Sequence, residues 1–310
     1  MKNCIKIKVI GIGGAGGNIL TRIPRPYPKS VELIAINSDL QDLRTTKADK
    51  KIQIGRKKTL GLGTGMNPKV GREAAEESKE EVKNIISGGD IVFVICGLGG
   101  GTGSGASPVV ARIAKETGAL TIGIVTFPFY FEGAQRKKIA HQALSVLEKD
   151  LDTLIVVFND KVLDKIQNST NIDFAFRLID ETIYNIIFDI LNLIITPGLI
   201  NIDLADLSSI MKNAGRAFFG IGKGQGERKI EQATKEALAS PFLGTSMDGA
   251  KGVLFNIAGG KNLTLFDVQK TANIINQKSS PQAKIIFGAF QNNKQFRPDE
   301  VRITLIATGI

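Results

Sequence analysis

Two glycine-rich segments, each following a short apolar run, are the part of this sequence best suited to chemistry on a phosphate. The first, VIGIGGAGGN, covers residues 9–18, and the second, CGLGGGTGSGASP, covers residues 96–108. Glycine lets backbone N–H groups approach a phosphate closely, and the N-terminus of a following helix favours its negative charge. Thr102 and Ser104 add hydroxyl donors to the second segment. Together the segments predict a site that holds one polyphosphate from two sides.

Taken alone, the first segment is typical of a dinucleotide-binding turn. Gly11, Gly13 and Gly16 match G-x-G-x-x-G between a strand and a helix. Such a turn is normally followed, about 20 residues on, by an acidic residue that holds a ribose. Here the second strand ends at Asn37, and Asp39 comes somewhat late. Because of the three matching glycines, an NAD-dependent oxidoreductase is kept as an alternative. A dinucleotide site, however, does not need a second loop with so many glycines.

The sequence contains no G-x-x-x-x-G-K-[ST] motif, so no lysine is placed as in a P-loop. Phosphate binding must then depend on backbone amides and the helix dipole, and a metal ion could add to them.

The elements that must position these loops alternate between β-rich runs and helical patterns over residues 5–160. The predicted strands are IKIKVIGI, VELIAIN, IVFVICG, LTIGIVTF and TLIVVFN. Residues 67–87 and 132–150 carry apolar side chains at helical spacing. This alternation predicts an α/β fold with a mostly parallel sheet covered by helices on both faces. Both glycine segments would follow strands at the carboxyl edge of that sheet.

The second half of the chain has a different pattern. Residues 173–195 are apolar on most sides, with a narrow polar stripe, and predict a long buried helix. Later strands, RAFFGIG, KGVLFNI, KIIFGAF and VRITLIATGI, predict a smaller α+β domain with helices between the first three. We therefore expect a nucleotide-binding domain in residues 1–172, a central helix in 173–195 and a C-terminal domain in 196–310.

Composition narrows the classes of partner. The net charge is +10, with basic residues concentrated in 47–58 and 136–138. No aromatic residues are interleaved with these runs, so an anionic membrane surface or an acidic partner is favoured over nucleic acid. Cys4 and Cys96 are too few for a disulfide framework and lack metal-site spacing, which predicts buried free thiols. No signal peptide pattern opens the sequence, and a cytoplasmic protein is expected.

The chain resembles the FtsZ family of bacterial cell-division GTPases, which is related to tubulin, from about residue 5 to residue 310. GGGTGSG matches the signature loop of that family, and further segments match it in order and spacing: NSDLQDL, GLGTG, PFYFEG, FND, TPGLINIDLADL and SSPQAKIIFGA. The resemblance implies a protein that binds and hydrolyses GTP, with Mg²⁺, and polymerises head to tail. It also implies filaments that organise the septal ring at the division site in the cytoplasm.

The resemblance also implies roles for single residues. Those placed on the phosphates are Gly13, Gly14, Asn18, Gly99, Gly100, Gly101, Thr102 and Gly103, with residues 61–65 near the γ-phosphate. Those placed on the ribose and the base are Glu132, Arg136, Asn159, Phe176 and Asp180. A carboxylate at Asp180 can accept from guanine N1–H and the exocyclic amine, whereas adenine would leave it unpaired.

No catalytic base is evident in the nucleotide loops themselves. The resemblance implies instead that Asn201, Asp203 and Asp206 enter the nucleotide pocket of the next subunit, where the acidic groups position or polarise the attacking water. Asp203 also fits a helix N-cap, which is compatible with that role. Hydrolysis would then occur only where two subunits meet.

Three features depart from the family pattern. Phe127 stands where arginine is usual, which removes one expected basic contact near the pocket. The chain is basic, whereas family members tend to be acidic. No tail with the peptide that binds membrane tethers follows the last strand, so we expect a truncated chain or a different attachment to tethers and division proteins. A non-hydrolysing or slow scaffold of the tubulin superfamily is therefore a further alternative.

Overall fold

A computed structural model describes residues 5–163, 171–240, 244–292 and 295–310. By their internal packing, the residues divide into two compact units, 1–184 and 185–310. Cys4, predicted as a buried thiol, lies outside the described residues.

The first unit is built on a parallel sheet. Its strands are β1 (Ile7–Ile12), β2 (Val31–Asn37), β3 (Lys50–Gln53), β4 (Ile91–Gly97), β5 (Leu120–Phe127) and β6 (Thr153–Phe158). Their order across the sheet is β3-β2-β1-β4-β5-β6, with every pair parallel. The central strands β1 and β5 are buried along their whole length, as expected for strands rich in β-branched residues and covered on both faces. The predicted α/β fold with a mostly parallel sheet is confirmed.

Helices connect these strands. They are α1 (Gly13–Arg22), α2 (Leu40–Thr45), α3 (Arg56–Thr59), α4 (Pro68–Glu77), α5 (Lys79–Ile86), α6 (Gly101–Glu116), α7 (Ala134–Asp150), α8 (Asp160–Leu163) and α9 (Ile172–Ile195), with a 3₁₀ turn at Tyr130–Glu132.

Three of these elements differ from the sequence prediction. The single helix expected over 67–87 is interrupted at Ser78, whose φ of −103° and ψ of 16° separate α4 from α5. Helix α6 begins at Gly101, inside the glycine run rather than after it. Strand β3 lies within the basic run 47–58, where no strand was predicted.

Helices α4 and α6 pack backbone against backbone. A Cβ added to Gly105 would lie 2.0 Å from the Pro68 carbonyl oxygen, and one added to Gly71 would lie 2.3 Å from the Gly101 carbonyl oxygen. Asn67 begins α4 by accepting a hydrogen bond from the Lys69 N–H at 3.0 Å. The α4–α6 seam, which we define by Pro68, Gly71, Gly101 and Gly105, therefore fixes the first turns of α6.

The second unit is a smaller α+β body, as predicted. It contains α10 (Leu204–Met211), β7 (Gly215–Gln225), α11 (Lys229–Ala239), β8 (Gly252–Gly259), α12 (Leu265–Asn276), β9 (Lys284–Gln291) and β10 (Glu300–Thr308). The strand order is β7-β10-β8-β9, with β10 antiparallel to both of its neighbours and β8 parallel to β9. Buried apolar residues such as Phe218 and Phe255 form its core.

Helix α9 matches the predicted central helix to within one residue at its start. Its polar stripe includes a buried ion pair: Asp189 is 7% exposed, and its Oδ1 accepts from Arg302 Nη2 at 2.7 Å. Burial raises the pKa of Asp189, and the Arg302 guanidinium opposes that rise. Within the described parts of the chain, no helix combines the length and the apolar character needed to cross a membrane.

Candidate functional site

The first unit contains a cleft of about 580 Å³ at the carboxyl edge of its sheet. This volume lies in the range of roughly 300–1,000 Å³ that is usual for small-molecule sites. Apart from Gly99, every residue for which the resemblance implied a direct phosphate, ribose or base contact lines this cleft; Thr64 of the loop 61–65 also lines it, and Ser104 does not. The predicted contacts, drawn from five separate segments of the chain, are thus brought together around one space.

The first glycine loop turns directly from β1 into α1. Gly13 has a φ of +69°, a conformation that favours glycine, and a Cβ there would lie 3.1 Å from the backbone nitrogen of Gly103. The two glycine loops are therefore in direct backbone contact. The starts of α1 and α6 both line the cleft, where an anion would be stabilised by both helix dipoles.

The second loop is held in place from behind. A Cβ on Gly103 would lie 2.4 Å from the carbonyl oxygen of Gly97, so α6 packs tightly on the end of β4. The Ser104 hydroxyl accepts a hydrogen bond from the Gly99 N–H at 2.9 Å. Gly99, with a φ of +100°, shapes the turn against Arg136 and does not line the cleft. Ser104 does not line it either, so its hydroxyl supports the loop.

Thr102 links three segments at the phosphate end. Its hydroxyl lies 2.7 Å from Ser38 Oγ, after β2, and 3.3 Å from Thr64 Oγ1, in the loop 61–65 that was expected near the γ-phosphate. Within that loop Thr64 lines the cleft, whereas the side chain of Leu62 is 83% exposed. These hydroxyl contacts connect the start of α6 to the end of β2 and to the loop 61–65.

Glu132 and Arg136 form a polar pair on the cleft wall. Arg136 Nη1 donates to Glu132 Oε2 at 2.8 Å, and Glu132 Oε1 accepts from the Phe129 N–H at 2.9 Å. The backbone contact fixes the carboxylate, which can then accept from ribose hydroxyls. The guanidinium is partly exposed and faces the same space.

The opposite end of the cleft combines a polar edge with an aromatic wall. Asn159 is 6% exposed, and its Oδ1 is buried without a hydrogen-bond partner. Phe176 is 40% exposed and packs edge-on against Phe129, with ring centroids 5.6 Å apart. A buried acceptor without a partner is costly unless a ligand supplies a donor. This end is therefore suited to a planar, hydrogen-bonding base.

Asp180 carries an unusual charge environment. Burial raises the pKa of its carboxyl to about 6, and an ion pair with Arg22 opposes that rise. Arg22 also lies 3.5 Å from Asp173. Neither Arg22 nor Asp173 was predicted, although both line the cleft.

Helical spacing could have found these two residues. Arg22 follows Asn18 by four positions on α1, and Asp173 precedes Phe176 by three positions on α9. Residues three or four apart on a helix share a face, so the predicted contacts at Asn18 and Phe176 indicate where their neighbours lie.

The residues that a dinucleotide site would use on the ribose have other roles. Asn37 Nδ2 donates to Asp42 Oδ2 at 2.7 Å, and Asp39 caps α2 by accepting from the Gln41 N–H at 2.9 Å. Neither residue lines the cleft. The cleft thus lacks an acidic ribose contact at the end of β2, where a dinucleotide site has it, and this argues against the oxidoreductase alternative.

Phe127, which stands where the resemblance led us to expect arginine, is 6% exposed and buried at the end of β5. It packs against His141 at 4.8 Å and Phe158 at 5.3 Å between ring centroids. Its neighbours Thr126 and Pro128 line the cleft, and Phe127 does not. This follows from the alternation of side chains along a strand.

The predicted catalytic residues belong to the second unit and do not line this cleft. Asp203 accepts from the Asp206 N–H at 2.8 Å, and Asp206 accepts from the Asp203 N–H at 3.2 Å, which forms a capping box on α10. Asn201 Oδ1 accepts from the Gly198 N–H at 2.6 Å. Asn201 and Asp203 are exposed, and Asp206 is partly exposed.

The part of the chain that the structure describes holds no group of three or more His, Cys, Asp or Glu that could bind a metal ion. Cys96 is a buried free thiol, as predicted, and burial raises its pKa to about 12.

Comparisons with known proteins agree with this geometry. Residues 6–167 match the GTPase domain of the tubulin/FtsZ family, and residues 215–310 match the FtsZ family C-terminal domain. A solved FtsZ dimer from M. jannaschii, described as empty, shares 44% identity over 98% of this chain and 88% of its own, with a TM-score of 0.89.

Two further solved structures are also similar. A single-residue mutant of the same FtsZ shares 44% identity over 99% of this chain and 91% of its own, with a TM-score of 0.89. CetZ1 from Haloferax volcanii, a GDP-bound monomer, shares 23% identity over 99% and 94%, with a TM-score of 0.84, which is a likeness of fold.

Proposed function

Because the chain belongs to the tubulin/FtsZ family and carries its GTPase domain, we propose that it binds GTP in the cleft described above and hydrolyses it within a filament of its own subunits. The observation that carries this proposal is the contact between the two glycine loops, which turns the starts of α1 and α6 towards one space.

The phosphates are expected at this junction. Backbone amides of Gly13, Gly14 and the run 100–103 would donate to the phosphate oxygens, and Arg136 would add a charge-assisted contact. Asn18 would support the first loop. Since no P-loop lysine is present in the sequence, most of the binding would come from donors that the fold holds fixed.

The base is expected between Phe176 and the polar edge. Guanine would donate its N1–H and amine hydrogens to Asp180, and a further donor would satisfy the buried Oδ1 of Asn159. Adenine presents an acceptor at N1, so Asp180 would be left unpaired. Losing one charge-assisted hydrogen bond costs roughly 1.5–3 kcal/mol, or about 10- to 150-fold in affinity. ATP should therefore compete weakly, and equal competition by ATP would contradict this assignment.

We propose that Mg²⁺ accompanies the nucleotide. This ion usually keeps several waters and binds substrate phosphates with one or two protein oxygens. The hydroxyls of Thr64 and Thr102, which line the cleft beside the second glycine loop, would supply such oxygens. Bound there, the ion would neutralise charge on the phosphates.

Hydrolysis is proposed to use Asn201, Asp203 and Asp206 of the adjoining subunit. Each carboxylate uses one oxygen in the capping box and keeps its other oxygen available to orient a water. Water then attacks the γ-phosphorus, the bond to the β–γ bridging oxygen breaks, and GDP and phosphate are formed. Positioning and electrostatic stabilisation are the main contributions that a protein makes to such a transfer.

Self-association is part of the proposal, and the dimeric FtsZ at 44% identity supports it. Filaments of this kind would organise the septal ring at the division site, with membrane tethers and other division proteins as partners.

One assay tests the whole proposal. Phosphate release with GTP and Mg²⁺ is measured across protein concentrations, while sedimentation follows assembly. The rate per subunit should rise steeply with concentration as subunits associate. A flat rate down to dilutions that hold only monomers would show that one chain contains the complete site. GTP binding without turnover at any concentration would indicate the non-hydrolysing scaffold.

A further inference from the structure

Arg22 occupies a position in the cleft that the nucleotide roles above do not explain. It is the last residue of α1, its side chain is 38% exposed, and Nη1 forms an ion pair with Asp180 Oδ2. Nη2 lies 3.5 Å from Asp173 Oδ1. The Asp180 side chain is only 12% exposed. Arg22 therefore connects the end of α1 to the carboxylate that faces the base.

The chemistry of guanine makes this contact consequential. Guanine offers two donors side by side, and an ionised carboxylate accepts both. A protonated carboxyl has become a donor on one oxygen, so it cannot pair with both hydrogens. Burial favours the protonated form. A buried carboxylate that must stay an acceptor needs a counter-ion.

We propose that Arg22 is a positioning residue for guanine recognition, which keeps Asp180 in its ionised, acceptor form and so sets the pH range in which the cleft binds guanine nucleotides. This inference rests on the proposed function, because it assumes that Asp180 faces the base.

The contact leaves room for the base. An ionised carboxylate has about four acceptor positions, and Arg22 occupies one of them on Oδ2. Oδ1 and the second position on Oδ2 stay available for guanine. Asp173 has a second cationic partner besides Arg22, because Arg177 Nε donates to Asp173 Oδ2 at 2.8 Å. Asp173 therefore does not compete strongly with Asp180 for Arg22. Arg22 and guanine can therefore hold Asp180 at the same time.

The neighbouring charges make Arg22 decisive. Asp173 and Glu181, both on α9, act on Asp180 as like charges and favour its protonation. Arg22, from α1, is the cation in contact with it within the described part of the chain. With Arg22 in place, the pKa of Asp180 is raised by burial to about 6, so the carboxyl is mostly ionised at neutral pH.

The direction of the effect follows from these charges. Tight binding needs ionised Asp180, so affinity is full above its pKa and falls about tenfold for each pH unit below it, until the loss of the Asp180 contact is complete at about 10- to 150-fold. An opposite charge at this range typically moves a carboxyl pKa by about 1–3 pH units. Arg22→Met removes that charge, so the midpoint of the affinity profile should move to alkaline pH by roughly this amount. At pH 7 the variant should bind roughly 2- to 100-fold more weakly, with recovery as the pH rises.

The experiment measures GDP affinity of the full chain from about pH 5 to about pH 9 for wild type and three variants. The ratio of variant to wild-type affinity is compared at each pH, because titration of the nucleotide cancels in that ratio. Arg22→Met should give a ratio that recovers with rising pH. Arg22→Lys keeps the charge and should follow wild type closely. Arg56→Met, which removes an exposed arginine paired with Glu81, is the matched control and should give a flat ratio near one.

Three outcomes would overturn the inference. A profile for Arg22→Met that matches wild type would show that Asp180 needs no counter-ion. Weakening by the same factor at every pH would make Arg22 an ordinary contact to the base. Tighter binding would show that Arg22 competes with guanine for Asp180. A folding defect in Arg22→Met would be recognised by a lower melting temperature at each pH. Arg22→Lys, which keeps the charge, shows whether changing this side chain by itself disturbs the fold.

Asp180→Asn separates this inference from the proposed function. If Asp180→Asn binds GDP as wild type does, the base does not face Asp180, and the proposed site itself is wrong. If Asp180→Asn weakens GDP binding while Arg22→Met keeps the wild-type profile, only the role of Arg22 is wrong.

Discussion

Gly100→Ala should separate nucleotide binding from folding more cleanly than any other glycine change in the cradle. Gly100 is the N-cap of α6, with a φ of −92° and a ψ of 171°, a conformation that alanine adopts without strain. A Cβ there would meet nothing within 4 Å, and the residue lines the cleft. The added methyl group therefore projects into the space proposed for the phosphates.

The expected magnitudes differ for folding and for binding. The free energy of unfolding should change by less than about 1 kcal/mol, because alanine restricts the unfolded chain more than glycine does but is a poorer N-cap residue. The methyl group should cost at least one charge-assisted phosphate contact, roughly 1.5–3 kcal/mol, so GDP affinity should fall about 10- to 150-fold. Calorimetry with GDP measures the affinity, and urea unfolding measures the stability.

Gly103→Ala is the contrasting variant. Its Cβ would lie 2.4 Å from the backbone oxygen of Gly97, so α6 must shift and the unfolding free energy should fall by about 1–3 kcal/mol. Wild-type GDP affinity in Gly100→Ala, and again in Gly100→Leu, would refute the reasoning, since a phosphate could not then lie at the start of α6.

Two further predictions concern the second unit. Asp206→Ala should bind GTP normally but hydrolyse little, and mixing it with Asp180→Ala, whose Asp206 is intact, should partly restore phosphate release. As a control, wild-type subunits added to either variant should restore phosphate release. If they do, and the mixture of the two variants is still as inactive as each variant alone, action between subunits would be contradicted. Arg302→Met should lower the unfolding free energy by about 3–5 kcal/mol at neutral pH, because Asp189 would remain buried without its counter-ion. This loss, measured by urea unfolding, should shrink in acid as Asp189 is protonated, and a loss independent of pH would point to packing instead.

The parallel sheet and the cleft could be predicted because their signals are local. Each strand of the first unit except β3 is a mainly apolar run, interrupted by Lys8 in β1 and by Glu32 in β2, and a glycine turn follows β1 and β4 directly. Strand β3 was missed because only Ile52 in it is buried, so its lysines dominate the pattern. The break at Ser78 was missed because the sequence around it contains strong helix formers and no glycine or proline.

Packing between segments explains the remaining differences at the site. The start of α6 at Gly101 depends on close contacts with α4, which no helix propensity scale contains. The supporting role of Ser104 and the counter-ion role of Arg22 depend on partners 5 and 158 positions away in the sequence. Residue types and spacing could therefore indicate which segments meet, while the direction of each hydroxyl and each charge required the fold.

The α4–α6 seam has a consequence for how the protein can tolerate change. Overpacking in a core can often be relieved by trimming a neighbouring side chain, but the atoms opposite Gly71 and Gly105 are backbone carbonyl oxygens. A second-site suppressor that makes a side chain smaller has nothing there to remove. Relief would have to come from a hinge that lets α4 tilt, and such a tilt would carry the first turn of α6 with it. A mutation that restores folding at this seam would thus change the geometry of the phosphate cradle.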